Sequence, residues 1–197
     1  MKFLIAAALV LSSSLCLAED LPEDTDQIKS LTAEQAADLV SKAKGLLSLD
    51  GLTSIDKDVA QELAKVKGSL FLNGLTSIDK DVAQELAKFK GRLFLSGLTS
   101  IDKNVAQELA KFERGYLSLG GLTSIDKDVA QELAQFKGRG LTLGGLTSID
   151  KDVAQELAQV KGGLSLYNLT SIDKDVLKIL KAKPGIMLPE KYRGKKD

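Results

Sequence analysis

The stretch from Gly74 to Ser96, GLTSIDKDVAQELAKFKGRLFLS, is one copy of a unit that the chain repeats along most of its length. Its LTSID core occurs six times, led by Gly51, Gly74, Gly97, Gly121, Gly145 and Asn168, at spacings of 23, 23, 24, 24 and 23 residues. A fixed period in this range marks a stacked-repeat architecture. Each unit is too small to bury its own apolar face and does so against its neighbours.

Hydrophobic periodicity divides the unit into three parts. Leu93-Phe94-Leu95 alternates in the manner of a short strand. Gly97 to Ile101 forms a turn that tucks in Leu98 and Ile101. Asp102 then stands where a helix N-cap belongs. Val105, Ala106, Leu109, Ala110 and Phe112 trace one helical face, and Lys103, Asn104, Gln107, Glu108 and Lys111 trace the polar face. The pattern predicts a helix of about ten residues ending at a Lys-Gly pair (Lys67-Gly68, Lys90-Gly91, Lys137-Gly138, Lys161-Gly162). There the lysine suits the negative helix end and the glycine the left-handed C′ position. A helix that short is marginal alone in water, so stacking must supply the stability. The product is an α/β solenoid, right-handed by the crossover rule, with a parallel sheet on one side and helices on the other.

The unit L-x-L-x-G-L-T-S-I, followed by a helix, resembles the leucine-rich repeat family, in particular its short bacterial repeats. The resemblance covers about Leu31 to Leu188 and implies a sheet on the concave face, helices on the convex face and a role in recognition. One position departs from that family. The asparagine that forms a ladder in its turn is replaced by Leu52, Leu75, Leu98, Leu122, Leu146 and Leu169. Backbone groups there need other partners, and the stacked threonines (Thr53, Thr76, Thr99, Thr123, Thr147, Thr170) or serines are the expected ones.

The ends differ from the middle. Leu31 to Gly45 reads as a degenerate helix unit after an acidic leader (Glu19, Asp20, Glu23, Asp24, Asp26). Near the other end AQELA gives way to Leu177-Lys178-Ile179-Leu180-Lys181, Pro184-Gly185 stops the helix, and Ile186 to Leu188 can add a strand. The expected total is seven strands and seven helices. The domains read as a signal peptide at 1–18, an N-terminal cap at 19–45, the solenoid at 46–189 and a frayed polar tail at 190–197.

Lys2, the apolar run Phe3 to Leu11 and the small residues around Ala18 form the pattern of a cleaved secretory signal. The run is too short to span a bilayer, which needs about 20 apolar residues. Cleavage after Ala18 removes Cys16, the chain's one cysteine. The expected location is secreted or periplasmic, with stability from packing rather than disulfides.

The 197 residues carry 27 basic and 27 acidic side chains and no histidine. Zero net charge gives no drive toward nucleic acid or anionic lipid. The missing histidine excludes Ser-His-Asp and Cys-His nucleophile systems and any His-ligated zinc or haem. No unique convergent set of reactive residues interrupts the repeats, so the chain does not read as an enzyme, and no cofactor is expected.

Candidate function lies where the units differ. The outward row between the strand leucines is Ser48, Phe71, Phe94, Ser118, Thr142 and Ser165. The preceding row is Leu46, Ser69, Arg92, Tyr116, Gly140 and Gly163, and the following row is Asp50, Asn73, Ser96, Gly120, Gly144 and Tyr167. Phe71, Phe94, Arg92, Tyr116 and Tyr167 are the candidate binding residues, because aromatics and arginine on a rigid surface make hot spots. The competing reading is that the two phenylalanines simply cover one another. The D-x-D pairs (Asp56/Asp58, Asp79/Asp81, Asp126/Asp128, Asp150/Asp152, Asp173/Asp175) suggest calcium only weakly and read better as caps with a first-turn carboxylate. The remaining helix face reads as solvated charge. The Gly-rich positions Gly120-Gly121, Gly138, Gly140, Gly144-Gly145 and Gly162-Gly163 coincide with the two 24-residue repeats. The expected partner is a protein or cell-surface ligand, without nucleic acid or a membrane span after signal cleavage. The chain itself is expected to be a monomer or to associate weakly end to end.

Overall fold

The computed structural model describes residues 24–193. The signal-peptide reading at 1–18, the first acids of the leader and residues 194–197 lie outside it. Each leucine-centred segment forms a short strand: β1 (Leu46–Ser48), β2 (Ser69–Phe71), β3 (Arg92–Phe94), β4 (Tyr116–Ser118), β5 (Gly140–Thr142), β6 (Gly163–Ser165) and β7 (Ile186–Met187). Helices alternate with them: α1 (Ala33–Lys42), α2 (Lys57–Leu63), α3 (Lys80–Leu86), α4 (Lys103–Leu109), α5 (Lys127–Leu133), α6 (Lys151–Leu157) and α7 (Lys174–Ala182). The strands form one parallel sheet in chain order. The molecule is therefore a repeat solenoid of strand-and-helix units, with a sheet about 29 Å across at ~4.8 Å per strand.

The register is in phase throughout. Leu47, Leu70, Leu93, Leu117, Leu141 and Leu164 align across β1 to β6, and all six are buried. Behind them Leu49, Leu72, Leu95, Leu119, Leu143 and Leu166 are fully buried, as are the turn leucines from Leu52 to Leu169. Each such side chain contributes about 1.5–3 kcal/mol on burial, so the three leucine rows hold the sheet to the helices. Phe89, Phe112 and Phe136 extend the core beyond the helix ends, with ring centroids 6.4 and 6.1 Å apart.

Every internal helix starts as its sequence implies. In α2 to α7 the N-cap aspartate accepts a hydrogen bond of 2.8 Å from the amide of the valine three residues on. The internal helices end sooner than expected, after seven residues rather than ten. The chain must turn back to the sheet, and tighter i to i+3 bonds such as Val66 N–H to the Leu63 carbonyl begin that return. The Lys-Gly pairs consequently lie beyond the helix, not at its C′ position. Close approach favours glycine in this loop: a Cβ on Gly68 or Gly91, or on Gly115 after Arg114, would overlap the carbonyl oxygen of the equivalent glycine one unit earlier, and Gly68 also has a φ of 118°.

The turn is not stabilised by a threonine ladder. Thr53, Thr76, Thr99 and Thr123 are exposed, and only Thr170 reaches back, its hydroxyl donating to the Thr147 carbonyl at 3.2 Å. Each turn instead closes on itself through the turn leucine, as in Leu75 N–H to the Leu72 carbonyl at 3.2 Å. A side-chain ladder exists three positions before the threonines. Asp26 accepts from the Asp50 amide (3.1 Å), Asp50 from the Asn73 amide (2.8 Å), and Asn73 from the Ser96 amide (3.0 Å). It stops at Ser96, whose hydroxyl accepts no amide from the next unit, and Gly120 and Gly144 carry no side chain to continue it.

Asp26 also explains the N-terminal cap. Asp26 to Ile28 lies against Gly51 as Asp50 to Leu52 lies against Gly74. The cap is thus an extra turn-and-helix unit whose 3-10 turn, Thr25–Gln27, stands where the next unit has Leu49 to Gly51. At the other end, Glu190 to Arg193 is not frayed. A 3-10 turn at Glu190–Tyr192 brings the Lys191 ammonium and the Tyr192 hydroxyl onto the Thr170 carbonyl, and Arg193 Nε onto that of Leu188. The extra residue of each longer unit lies in the return loop. Arg92, Tyr116 and Gly140 share one register, so the additions fall at Glu113-Arg114 and Gly138-Arg139. Gly120-Gly121 and Gly144-Gly145 stay in phase.

Candidate functional site: the outer face of the sheet

The alternation of the strands puts Phe71 on β2, Arg92 and Phe94 on β3, and Tyr116 on β4 on the outer face. Phe71 and Phe94 are register partners, stacked with centroids 4.3 Å apart and planes 3° from parallel. Both are half-buried. Their row neighbours Ser48 and Ser118 are small, so no large side chain of that row covers the outward ring faces. Arg92 pairs with Tyr116 one row away, its guanidinium carbon 5.8 Å from the ring centroid. That cation–π contact ties the arginine head to the Tyr116 ring. Tyr116 is 50% exposed.

The structure thus gathers four of the five candidate residues into one patch on three adjacent strands. It does not bring in Tyr167, which follows β6 and stands two strands from Tyr116 and four residues further along, about 16 Å away at ordinary strand spacings. Tyr167 is 47% exposed, and its ring lies over Gly144 as that of Tyr116 lies over Gly140. Sequence reading missed these glycines as platforms; the signal was their position, one unit from a tyrosine in the same row. Ser165 does not belong to the exposed row, being only 4% exposed between Thr142 and Met187. Leu46 and Met187, both exposed, mark the two edges of the face.

The face is nearly free of charge. Its three rows hold Arg92 and Asp50 as their only ionised side chains, and Asp50 is occupied in the turn ladder. The helix side is the opposite. The first aspartate of each pair caps its helix, and in the last three pairs the second meets a lysine of the preceding unit: Lys103 with Asp128 (3.6 Å), Lys127 with Asp152 (3.4 Å) and Lys151 with Asp175 (3.9 Å). Asn104 breaks this series, and Lys80 reaches Glu108 instead, at 4.0 Å. So unlike charges, not like ones, meet between units. Nor is that side wholly solvated: Glu85 and Glu108 are 3% exposed, each gripped by a lysine three residues on. A groove of about 490 Å³ opens beside α3 and α4, lined by Lys88, Lys90, Lys111 and Arg114. Two of those four cations are committed to the buried glutamates. No group of three or more acidic, cysteine or histidine side chains is placed to hold a metal among the described residues.

Among the described residues no helix is long and apolar enough to cross a membrane. In comparison with known proteins, no family model matches the chain and no curated protein matches it.

Proposed function

We propose that this chain is an exported leucine-rich-repeat module that binds a protein or cell-surface glycan through the outer face of its sheet. The observation that carries the reading is the Phe71–Phe94 stack, set beside Arg92 and Tyr116 on an otherwise uncharged, rigid sheet. A surface already ordered loses little conformational entropy on association. Aromatic and arginine side chains with fixed rotamers concentrate binding energy. The leucine rows and the parallel register support the assignment to that repeat class; the export reading rests on the N-terminal apolar run. Recognition rather than catalysis follows from the absence of histidine and of any unique reactive constellation.

A screen of the purified chain against extracellular proteins and envelope glycans tests this reading. The double variant Phe71→Ser/Phe94→Ser serves as control. Loss of two hot-spot side chains weakens a genuine ligand by about 30-fold or more with the melting profile retained. A second reading, a structural scaffold without a specific ligand, has one observation in its favour: two rings that cover each other need no third partner. An empty screen, or a ligand indifferent to the double variant, selects it.

A further inference from the structure

From α3 to α7, the lysine-bearing side of each helix meets the acid-bearing side of the next. Lys151 of α6 faces Asp175 of α7, and Lys103 of α4 faces Asp128 and Glu132 of α5. The series has two open ends. At one end α7 presents Lys174, the counterpart of Lys151, with Lys178 and Lys181 where α6 has Gln155 and Ala158. These lysines flank Leu177 and Ala182 along one open groove. Leu177 occupies the position of Ala83 and Ala106, which are fully buried within the stack, yet it is itself only partly covered. At the other end α1 presents Glu34 and Asp38, the counterparts of Asp58 and Glu62. Among the described residues neither Lys174 nor Glu34 has an ion-pair partner. The flanking sequence has the same polarity, with acids at 19, 20, 23, 24 and 26 at one end, and at the other bases at 191, 193, 195 and 196 outnumbering the acids at 190 and 197.

We infer that a second copy of this chain docks its α1 face on the α7 groove, head to tail, so that Lys174 meets Glu34 as Lys151 meets Asp175. The contact is heterologous, so it generates open chains of copies rather than a closed dimer. It does not use Phe71 or Phe94, and its failure leaves the sheet-face reading intact.

Sedimentation velocity of the purified chain over a range of concentrations, at low and at high salt, tests the inference. Association that rises with concentration and falls with salt is expected. The variant Lys174→Glu/Lys178→Glu/Lys181→Glu places acid against acid, and Glu34→Lys/Asp38→Lys places base against base. Each alone should associate at least about tenfold more weakly, and mixing the two should restore association. That rescue separates lost complementarity from lost folding. The Phe71→Ser/Phe94→Ser variant should associate as the parent does. A chain that stays monomeric at every concentration overturns the inference, as does association indifferent to both reversals. Adsorption to anionic vesicles that the lysine reversal abolishes, in a chain that never self-associates, also overturns it and assigns α7 to a lipid surface.

Discussion

At the scale of single residues, identical letters do different work according to what lies one unit away. Gly74 and Gly144 both flank a turn. A Cβ on Gly74 would strike the backbone carbonyls of Asp50 and Leu52, which cannot move without disturbing the stack. A Cβ on Gly144 would meet only the Tyr167 ring, the far end of an exposed side chain. Gly74→Ala is therefore expected to cost about 1–3 kcal/mol, and Gly144→Ala less than about 1 kcal/mol; urea titration of the two variants checks the order. The sequence showed these glycines as turn residues but not which backbone they approach, because contacts 23 residues apart are set by register. The same blindness hid Glu85 and Glu108. Their spacing puts them on the polar face, where the equivalent Glu62, Glu132 and Glu156 are only partly buried.

At the scale of the element, boundaries followed from the caps at one end only. The aspartate N-caps were legible because a side chain three residues from an amide declares itself locally. The helix C-termini were not, because the need to return to the sheet, rather than any local residue, ends them. Asp102→Ala should destabilise the protein by ~0.5–2 kcal/mol, read as a lowered thermal midpoint. Phe112 lies between Phe89 and Phe136 in the row behind the helix ends. Phe112→Ala should cost about 3–5 kcal/mol. Phe112→Leu should cost much less, since a leucine refills most of the volume; equilibrium denaturation of the pair is the check. On the helix side, Asn104→Asp offers Lys80 a second carboxylate beside Glu108, as Lys103 has in Asp128 and Glu132. It should add no more than about 1 kcal/mol, and that gain should fade at high salt, because such pairs are solvent-exposed.

At the scale of the whole molecule, the fold was almost entirely legible, since a period of 23 to 24 residues leaves one strand and one short helix per unit and one way to stack them. The candidate patch was legible as a set of residues in register, and the row and unit of Tyr167 already placed it apart from the other four. Contacts join each unit to its two neighbours, so stability is close to a sum over units and interfaces. Deleting residues 121–144 joins Gly120 to Gly145 in phase. The shortened protein should fold cooperatively with a smaller urea m-value, keeping the patch on β2 to β4. Deleting residues 121–132 breaks the phase and should abolish cooperative unfolding; circular dichroism across a urea series distinguishes the two.

The placement of the tyrosines has a practical consequence. The chain has three tyrosines and no tryptophan, and its fully buried aromatics are all phenylalanine. Absorption and emission excited on the tyrosine band therefore come from Tyr116 in the patch, Tyr167 at the far side of the sheet and Tyr192 in the terminal cap. Spectroscopically the core is dark and the surface is labelled. Contact at the patch would alter emission from Tyr116, so the unmodified protein carries its own optical reporter at the place where recognition is proposed.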